Sequence, residues 1–381
     1  MTILIVVEPG VDGVFRHVEE LCRFLFSRGA TVHLAYSSKR GSEGLLALVA
    51  SVRQRGGQTL DLRVGNAPCP SDLKAFFKLH KLARTVRPDV IHAHSSKAGV
   101  LGRALALSGI KARFFYTAHA YYGMGGSRGL KTAFFNFIEA MFGRIGTTIN
   151  LSEDESAFAM NRLRIPRSRI HVIENPVNAT VFHPPHGHER EQIRARLKIP
   201  DGALVLGSVG RLSFQKDPQT MYRAVAEAMN KNAALWLCHV GRGEMEAELR
   251  TLAQQLGIAA RLVSIPYIES PAEIYRSFDA FILTSRYEGC PLVLLEAMAS
   301  NLPVIVTAAA GTSNIVHGGL SHCWTAPCGD ISGIANAIAA WAGDVGNHRP
   351  INHRQIAEER FGIEVLYGAV HQLYLNGITP R

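Results

Sequence analysis

The sequence predicts an α/β protein of two Rossmann-like, doubly wound domains facing a central cleft. Three observations carry that prediction. First, 381 residues exceed what one ordinary core holds and suit two domains. Second, short β-branched runs alternate with longer amphipathic segments from the first residue, as a parallel sheet covered on both faces requires. Third, the alternation stops at a turn-rich stretch between Asn175-Pro176 and His186-Gly187 and then starts again. The domains are therefore expected at 1–177 and 178–361.

In the first half, strands are expected at 3–7, 31–36, 58–62, 90–93, 113–117 and 147–151. Segments 14–27, 72–86, 98–108 and 130–142 carry the helical period between them, and 170–173 closes the half. The second half repeats the pattern. Its strands fall at 204–209, 234–240, 262–265, 280–284 and 304–306, and its helices at 220–230, 245–256 and 292–300. The stretch from Gln355 to about Asn376 reads as helices, and a last helix at about 362–381 is expected to pack back on the first domain.

Composition narrows the function classes. Hydrophobic residues make up 47% and charged residues 19%, so the chain can bury a core. Residues 1–7 lack a basic flank and their apolar run stops at Glu8-Pro9-Gly10, which reads as a buried strand rather than a signal peptide. No apolar run nears the roughly 18 residues of a membrane span, and a cytoplasmic location is expected. The six cysteines are scattered without a CxxC and read as reduced thiols. His322-Cys323 and Cys328 make half a zinc site with no second half, so no metal is expected. Charge is unevenly divided: up to Asn175, 24 Lys/Arg stand against 13 Asp/Glu, and beyond it 17 stand against 18. The basic half suits an anionic partner such as a nucleic acid, an acidic membrane or a phosphorylated substrate. RNP aromatics and zinc-finger spacing are absent, so nucleic acid is not the expected partner.

Chemistry concentrates where strands give way to helices. Glu8-Pro9-Gly10-Val11-Asp12-Gly13 ends the first strand, and Gly13 suits either close approach to an anion or simply a tight turn. Arg211 and Lys216, in Gly210-Arg211-Leu212-Ser213-Phe214-Gln215-Lys216-Asp217, put a guanidinium and an ammonium on one loop. Such a pair suits a phosphate, the first as a bidentate donor and the second as a point charge, whereas taken alone the two read as solvated loop cations. After the strand at 280–284 comes Glu288-Gly289-Cys290-Pro291-Leu292, in which Pro291 suits a helix's first turn and Gly289 admits close backbone approach. Glu288 before that helix and Glu296 in its second turn can accept hydrogen bonds from hydroxyl groups.

These motifs resemble the retaining glycosyltransferases of GT-B fold, family 4, whose C-terminal domains carry an E-x7-E signature and an Arg/Lys pair. The likeness rests on EGCPLVLLEAMA with Glu288 and Glu296, and on GRLSFQKD with Arg211 and Lys216. It extends through Gly13-Val14, PDVIHAH up to His94, Thr117-Ala118-His119, Leu151-Ser152-Glu153, Glu174-Asn175-Pro176 and Val240-Gly241-Arg242-Gly243. The wording PDVIHAHSSKAG is similar to that of bacterial enzymes of capsule, O-antigen or exopolysaccharide synthesis.

The resemblance implies a nucleotide-sugar donor, with UDP the expected nucleotide and GDP the alternative, and transfer without a metal or other cofactor. It implies that Arg211 and Lys216 hold the diphosphate, Glu288 the transferred sugar and Glu296 the ribose. Gly241 and the backbone of Gly289, Cys290, Pro291 and Leu292 would line the donor site, Gly13 would approach the diphosphate, and His119 would face the sugar at the reacting carbon. The lack of any D-x-D agrees with metal-independent transfer. Three positions depart from the family form: Ala120 replaces a glycine beside His119, Pro291 replaces the glycine of EGFG, and Asn314 stands where many relatives have glutamate. The basic half, with Phe76-Phe77-Lys78 and Arg128-Gly129-Leu130-Lys131-Thr132-Ala133-Phe134-Phe135, suggests a glycan or polyprenyl-diphosphate-linked acceptor at the anionic cytoplasmic face of the inner membrane. Two other functions fit the sequence less fully. They are another GT-B sugar enzyme, an epimerase or phosphorylase, and a non-enzymatic basic binding protein.

Overall fold

The computed structural model describes residues 1–65, 67–126, 129–266, 268, 271–317, 319–346 and 350–376. The chain forms two compact units, one of Met1–Asn175 with the chain from Leu366 on, the other of Pro176–Val365.

The first unit alternates β1 (Thr2–Val7), α1 (Asp12–Ser27), β2 (Thr31–Tyr36), α2 (Glu43–Gln54), β3 (Thr59–Asp61), α3 (Ser71–Val86) and β4 (Val90–His94). It continues with α4 (Ser96–Leu107), β5 (Arg113–Thr117), α5 (Leu130–Phe142), β6 (Thr147–Asn150), α6 (Glu153–Asn161) and β7 (Ile170–Val172). The strands form one sheet in the order β3-β2-β1-β4-β5-β6-β7. Central β1 pairs in parallel with β2 (Ile3 opposite Val32) and with β4 (Ile3 opposite Val90). Ile3 to Val7 have no solvent exposure, the signature of a strand covered on both faces.

The second unit holds α7 (Glu189–Arg196), β8 (Leu204–Val209), α8 (Pro218–Lys231), β9 (Leu235–Val240), α9 (Glu246–Gln255), β10 (Leu262–Ile265), α10 (Ala272–Tyr275) and β11 (Ala280–Leu283). There follow α11 (Leu292–Ala299), β12 (Val304–Thr307), α12 (Ser313–Val316), β13 (Cys323–Ala326), α13 (Ile331–Asp344), α14 (His353–Phe361) and α15 (Ile363–Leu375). Its parallel sheet runs β10-β9-β8-β11-β12-β13. Val177 N–H donates to the Phe361 carbonyl at 2.8 Å, tying the start of this unit to the end of α14. From Leu366 on, α15 counts with the first unit, where the Tyr367 hydroxyl donates to the His17 carbonyl at 2.8 Å. The Arg113 guanidinium donates to the Tyr374 carbonyl at 2.9 Å, and the Tyr374 hydroxyl meets His92.

Several elements escape the sequence pattern. α2, α6, α7, α10, α12, β13 and α13 are not among the expected segments. α10 and α12 are single turns of four residues, and β13 is equally short. α13 (ISGIANAIAAWAGD) contains two glycines and runs of alanine, which blur its apolar stripe, although it packs closely on α8. No disulfide joins the cysteines among the described residues, and no helix there is long and apolar enough to cross a membrane.

Burial in the first unit includes an ion pair. Arg103, 1% exposed, donates to Glu139 Oε2 at 2.9 Å and lies 3.8 Å over the Tyr116 ring, while the Tyr116 hydroxyl donates to Glu139 Oε1 at 2.7 Å. Histidines are also buried. His17 Nδ1 lies 2.9 Å from Asn175 Oδ1, and burial pushes the His17 pKa down to about 4 against the opposing pull of that bond. Burial sends His239, in β9, down to about 4 as well.

Two predictions follow from these buried groups. Glu139→Ala leaves the Arg103 guanidinium buried without its carboxylate and should cost about 3–5 kcal/mol in urea unfolding. An unshifted midpoint would refute the pair's role. Unfolded, His17 and His239 protonate near 6.5; folded, only near 4. Stability is therefore complete above about 6.5 and falls as pH drops toward 4, each group contributing on the order of 3 kcal/mol. Tm measured across that window should fall less steeply in His17→Gln than in the native chain.

Candidate functional site

In the second unit the strand order reverses direction between β8 and β11. Loops leaving those two strands diverge to opposite faces and open a crevice at their carboxyl ends, the place where such sheets bind ligands. The loop after β8 carries Arg211 and Lys216; the loop after β11 carries Glu288. The structure brings Lys216 and Glu288 together. Lys216 Nζ donates to Glu288 Oε1 at 2.6 Å, and the Ser285 hydroxyl donates to the same oxygen at 2.5 Å. Gln215 Nε2 donates to the Tyr287 carbonyl at 3.0 Å and reaches Glu288 Oε2 at 3.4 Å. Glu288 is buried, and a buried polar group needs such hydrogen-bond partners.

The same two loops are stitched beneath this pair. The Thr284 hydroxyl lies 3.1 Å from the carbonyls of both Lys216 and Asp217. Arg286 reaches Asp217 Oδ2 at 3.0 Å, its guanidinium 4.4 Å over the Phe214 ring. Asp217 takes φ 49°, and Pro218 opens α8 directly after it. Arg211 is exposed at the rim. Ser208, Gly210, Arg211, Lys216, His239 and Thr284 line a small pocket at these strand ends.

Two glycines let the loops lie this close. A Cβ on Gly241 would sit 1.9 Å from the Gly210 carbonyl, so Gly241 lies under the Arg211 loop and supports it. Gly311, at φ 76°, would place a Cβ 2.3 Å from the Glu288 carbonyl and 2.4 Å from that of Gly289.

Pro291 is the residue before α11 (φ −72°, ψ 107°) rather than part of its first turn, and its carbonyl accepts from Leu294 N–H at 3.0 Å. Gly289, Cys290 and Pro291 are buried and Leu292 half-buried, so this segment offers a ligand mainly backbone. The first-turn amides of α11 point out of its N-terminus by helix geometry and favour an anion. Glu296, 1% exposed, sits in the second turn of α11 with Oε2 2.8 Å from the Tyr275 hydroxyl.

In the first unit the order reverses between β1 and β4. Gly13 is the second residue of α1 and is exposed. His94 ends β4, and His119 stands two residues beyond β5. His94 Nδ1 and His119 Nε2 are 3.1 Å apart, with the His17 ring edge-on to His119 at 4.8 Å between centroids. Burial, then the neighbouring imidazoles, hold His94 and His119 well below the usual histidine range, so all three rings are neutral near pH 7. His119 and Ala120 both take positive φ, 58° and 81°. His17, His94 and His119 each offer one ring nitrogen, all within 4.8 Å of one another. Neutral imidazoles can ligate a transition metal, but an ion here would have to break the His94–His119 hydrogen bond.

α4 packs between α3 and α5 on one side of this unit. The outward face of α5 shows Leu130, Phe134, Phe137 and Met141, exposed by 92%, 50%, 65% and 49%. α3 adds exposed Leu73 and Phe77 among exposed Lys74, Lys78, Lys81 and Arg84. Phe76 and Phe135 of the expected aromatic–cationic face are half-buried instead, and Arg128 lies outside the described residues.

Sequence reasoning missed several of these residues. Ser285 had a signal, standing three residues before Glu288, and His94 alternates with His92 on one face of β4. His17 lies one helical turn beyond Gly13. Gln215, Tyr275 and Gly311 carry no local signal.

Comparison with known proteins gives the family and the fold. Residues 11–181 match the family described as Glycosyltransferase Family 4, and residues 189–356 that described as Glycosyl transferases group 1. The chain is 27% identical over 319 residues to the UDP-Gal:alpha-D-GlcNAc-diphosphoundecaprenol alpha-1,3-galactosyltransferase of Escherichia coli, with 81% of each chain covered. It is 24% identical over 293 residues to the glycosyltransferase EpsD of Bacillus subtilis (strain 168), covering 76% of this chain and 75% of that one. Among solved structures, Anabaena HepE in complex with UDP and glucose matches with a TM-score of 0.82 at 18% identity, covering 99% of this chain and 100% of that one. WaaG, a glycosyltransferase involved in lipopolysaccharide biosynthesis, matches at 0.74 and 14% identity, with 99% and 100% covered. The two matched segments take in most of the chain, and it belongs to the family 4, group 1 glycosyltransferases of GT-B fold.

Proposed function

We propose that the chain transfers a sugar from a UDP-sugar to a hydroxyl of a glycan or polyprenyl-diphosphate-linked saccharide, in the building of a bacterial surface polysaccharide. Transfer proceeds with retention at the anomeric carbon and without a metal. The observation that carries this reading is the meeting of Lys216 and Glu288 at the switch point of the second unit, with Lys216 Nζ 2.6 Å from Glu288 Oε1, beside a small pocket that Arg211 and Lys216 both line. Cleaving the anomeric C–O bond leaves negative charge on the departing diphosphate. Arg211 can grip its oxygens bidentately and Lys216 can neutralise them, the task a metal performs elsewhere. The α11 N-terminus adds backbone donors, and Glu296 takes the ribose. The relatives favour UDP and a lipid-linked acceptor. The Escherichia coli enzyme is named for UDP-Gal and a diphosphoundecaprenol acceptor, and the Anabaena structure holds UDP and glucose.

Glu288 supports the stereochemical part of the reading. Its carboxylate is engaged by Lys216, Ser285 and Gln215, which suits an acceptor of sugar hydroxyl hydrogen bonds rather than a covalent nucleophile. The acceptor hydroxyl then attacks from the face the diphosphate leaves, and a phosphate oxygen takes its proton. His119, neutral by burial, can hydrogen-bond the sugar without setting a positive charge beside an oxocarbenium-like centre.

The partner at the outward face of α3 and α5 is an anionic lipid surface at the cytoplasmic side of the membrane. The α5 residues recur at one helical face, α3 brings four exposed cations, and thirteen residues suffice to lie in an interface but not to span it.

Three measurements test these assignments. UDP should raise the Tm of the native chain and not that of Lys216→Ala, whose kcat/KM should fall roughly 10²–10³-fold; an unchanged UDP shift refutes the diphosphate assignment. Chelation should leave turnover intact, and the product should keep the donor's anomeric configuration by NMR. The chain should co-sediment with phosphatidylglycerol vesicles in a salt-sensitive way, and Phe134→Ser with Phe137→Ser should weaken it. Equal partition onto neutral and anionic lipid would sink the membrane assignment.

A further inference from the structure

The loop that presents His119 is held in an unusual way. Two consecutive non-glycine residues, His119 and Ala120, take left-handed φ of 58° and 81°. L-residues resist this region because Cβ crowds the backbone, and such conformations persist only where surrounding structure enforces them. The enforcing group is identifiable. Ala120 N–H donates to Glu155 Oε1 at 2.6 Å, and Leu151 N–H donates to Glu155 Oε2 at 2.8 Å.

Glu155 has no solvent exposure and sits in the first turn of α6, where Ser152 Oγ accepts from Glu155 N–H at 3.2 Å. Both carboxylate oxygens thus accept backbone hydrogen bonds, one from the end of β6 and one from the strained turn beyond β5. Burial lifts its pKa to about 7, and the two N–H donors pull against that rise. None of this serves α6 as a helix, since Ser152 already provides its cap.

We propose that Glu155 is a positioning residue: by clamping the Ala120 amide it holds the left-handed His119–Ala120 turn and so keeps the His119 imidazole against His94. The proposal rests on the reading that His119 acts in sugar transfer. Carboxylate chemistry is specific here. A glutamine in its place has one acceptor oxygen, and its amide N–H would face one of the two backbone N–H groups. Alanine at 120 makes the clamp necessary, since glycine would take φ 81° without resistance.

The test uses the full chain labelled with 15N-histidine and four variants: Glu155→Gln, Ala120→Gly, the two combined, and His119→Ala, which assigns the His119 ring signals. Glu155→Gln should move those signals off their His94-bonded positions while Ala120→Gly leaves them in place and raises Tm. With UDP-glucose as the probe donor, release of UDP should show kcat down about 10- to 100-fold in Glu155→Gln, with KM within about twofold. The combined variant should recover much of that kcat, a rescue that a residue serving only stability would not show. Unmoved ring signals in Glu155→Gln, or a combined variant no better than the single one, overturn the clamp. If Glu155→Gln does not fold, a lowered Tm in Ala120→Gly overturns it instead. Full turnover in His119→Ala would refute the reading beneath the proposal while leaving the ring signals to decide the clamp.

Discussion

A parallel strand covered by helices on both faces can expose its chemistry only where it ends. The strand pairings of both sheets run parallel, and the central strands β1, β4, β8 and β11 are buried almost throughout, so little of their length is open to a ligand. The reacting groups are therefore confined to the loops at the carboxyl edge. Where strand order reverses, between β1 and β4 in one unit and β8 and β11 in the other, neighbouring loops part and leave room. Arg211, Lys216 and Glu288 stand at one such point, His94 at the other and His119 on the next strand.

Burial then decides what those groups can be. In the second unit a carboxylate with little access to water faces an ammonium and two polar side chains, and this fixes the geometry of all four. In the first unit four histidines crowd one end of the sheet, and burial keeps them neutral, so they interact by hydrogen bonds and ring contacts rather than by charge. Arg103 and Glu139 solve the same problem inside the core, where the Tyr116 ring and hydroxyl supply what water would. The cations that gave this half its charge surplus lie partly on the outer face of α3, beside the exposed apolar residues Leu73 and Phe77.

Legibility in the sequence followed the range of the physics. β1, β2, β5, β8 and β10 were readable because a run of β-branched residues between turn signals is a local pattern, and α5 because its period is strong. α13 was not, since glycine and alanine dilute its stripe and packing on α8 supplies its stability. Arg211 and Lys216 on their loop alone read as solvated cations, and became a candidate anion site only beside the Glu288 segment. Glu288 and Glu296 needed the E-x7-E likeness, and their surroundings were hidden altogether.

By itself the sequence determined two doubly wound sheets, the charge types at their strand ends and the family, because periodicity, turn chemistry and spaced motifs are written within short windows. Only the tertiary structure decided that Lys216 meets Glu288 across 72 residues, that Tyr275 engages Glu296 across 21, and that Glu155 reaches back 35 residues to hold Ala120. Those pairings depend on which strand lies beside which and on how much water is excluded between them. Neither is a property of any stretch of chain taken alone.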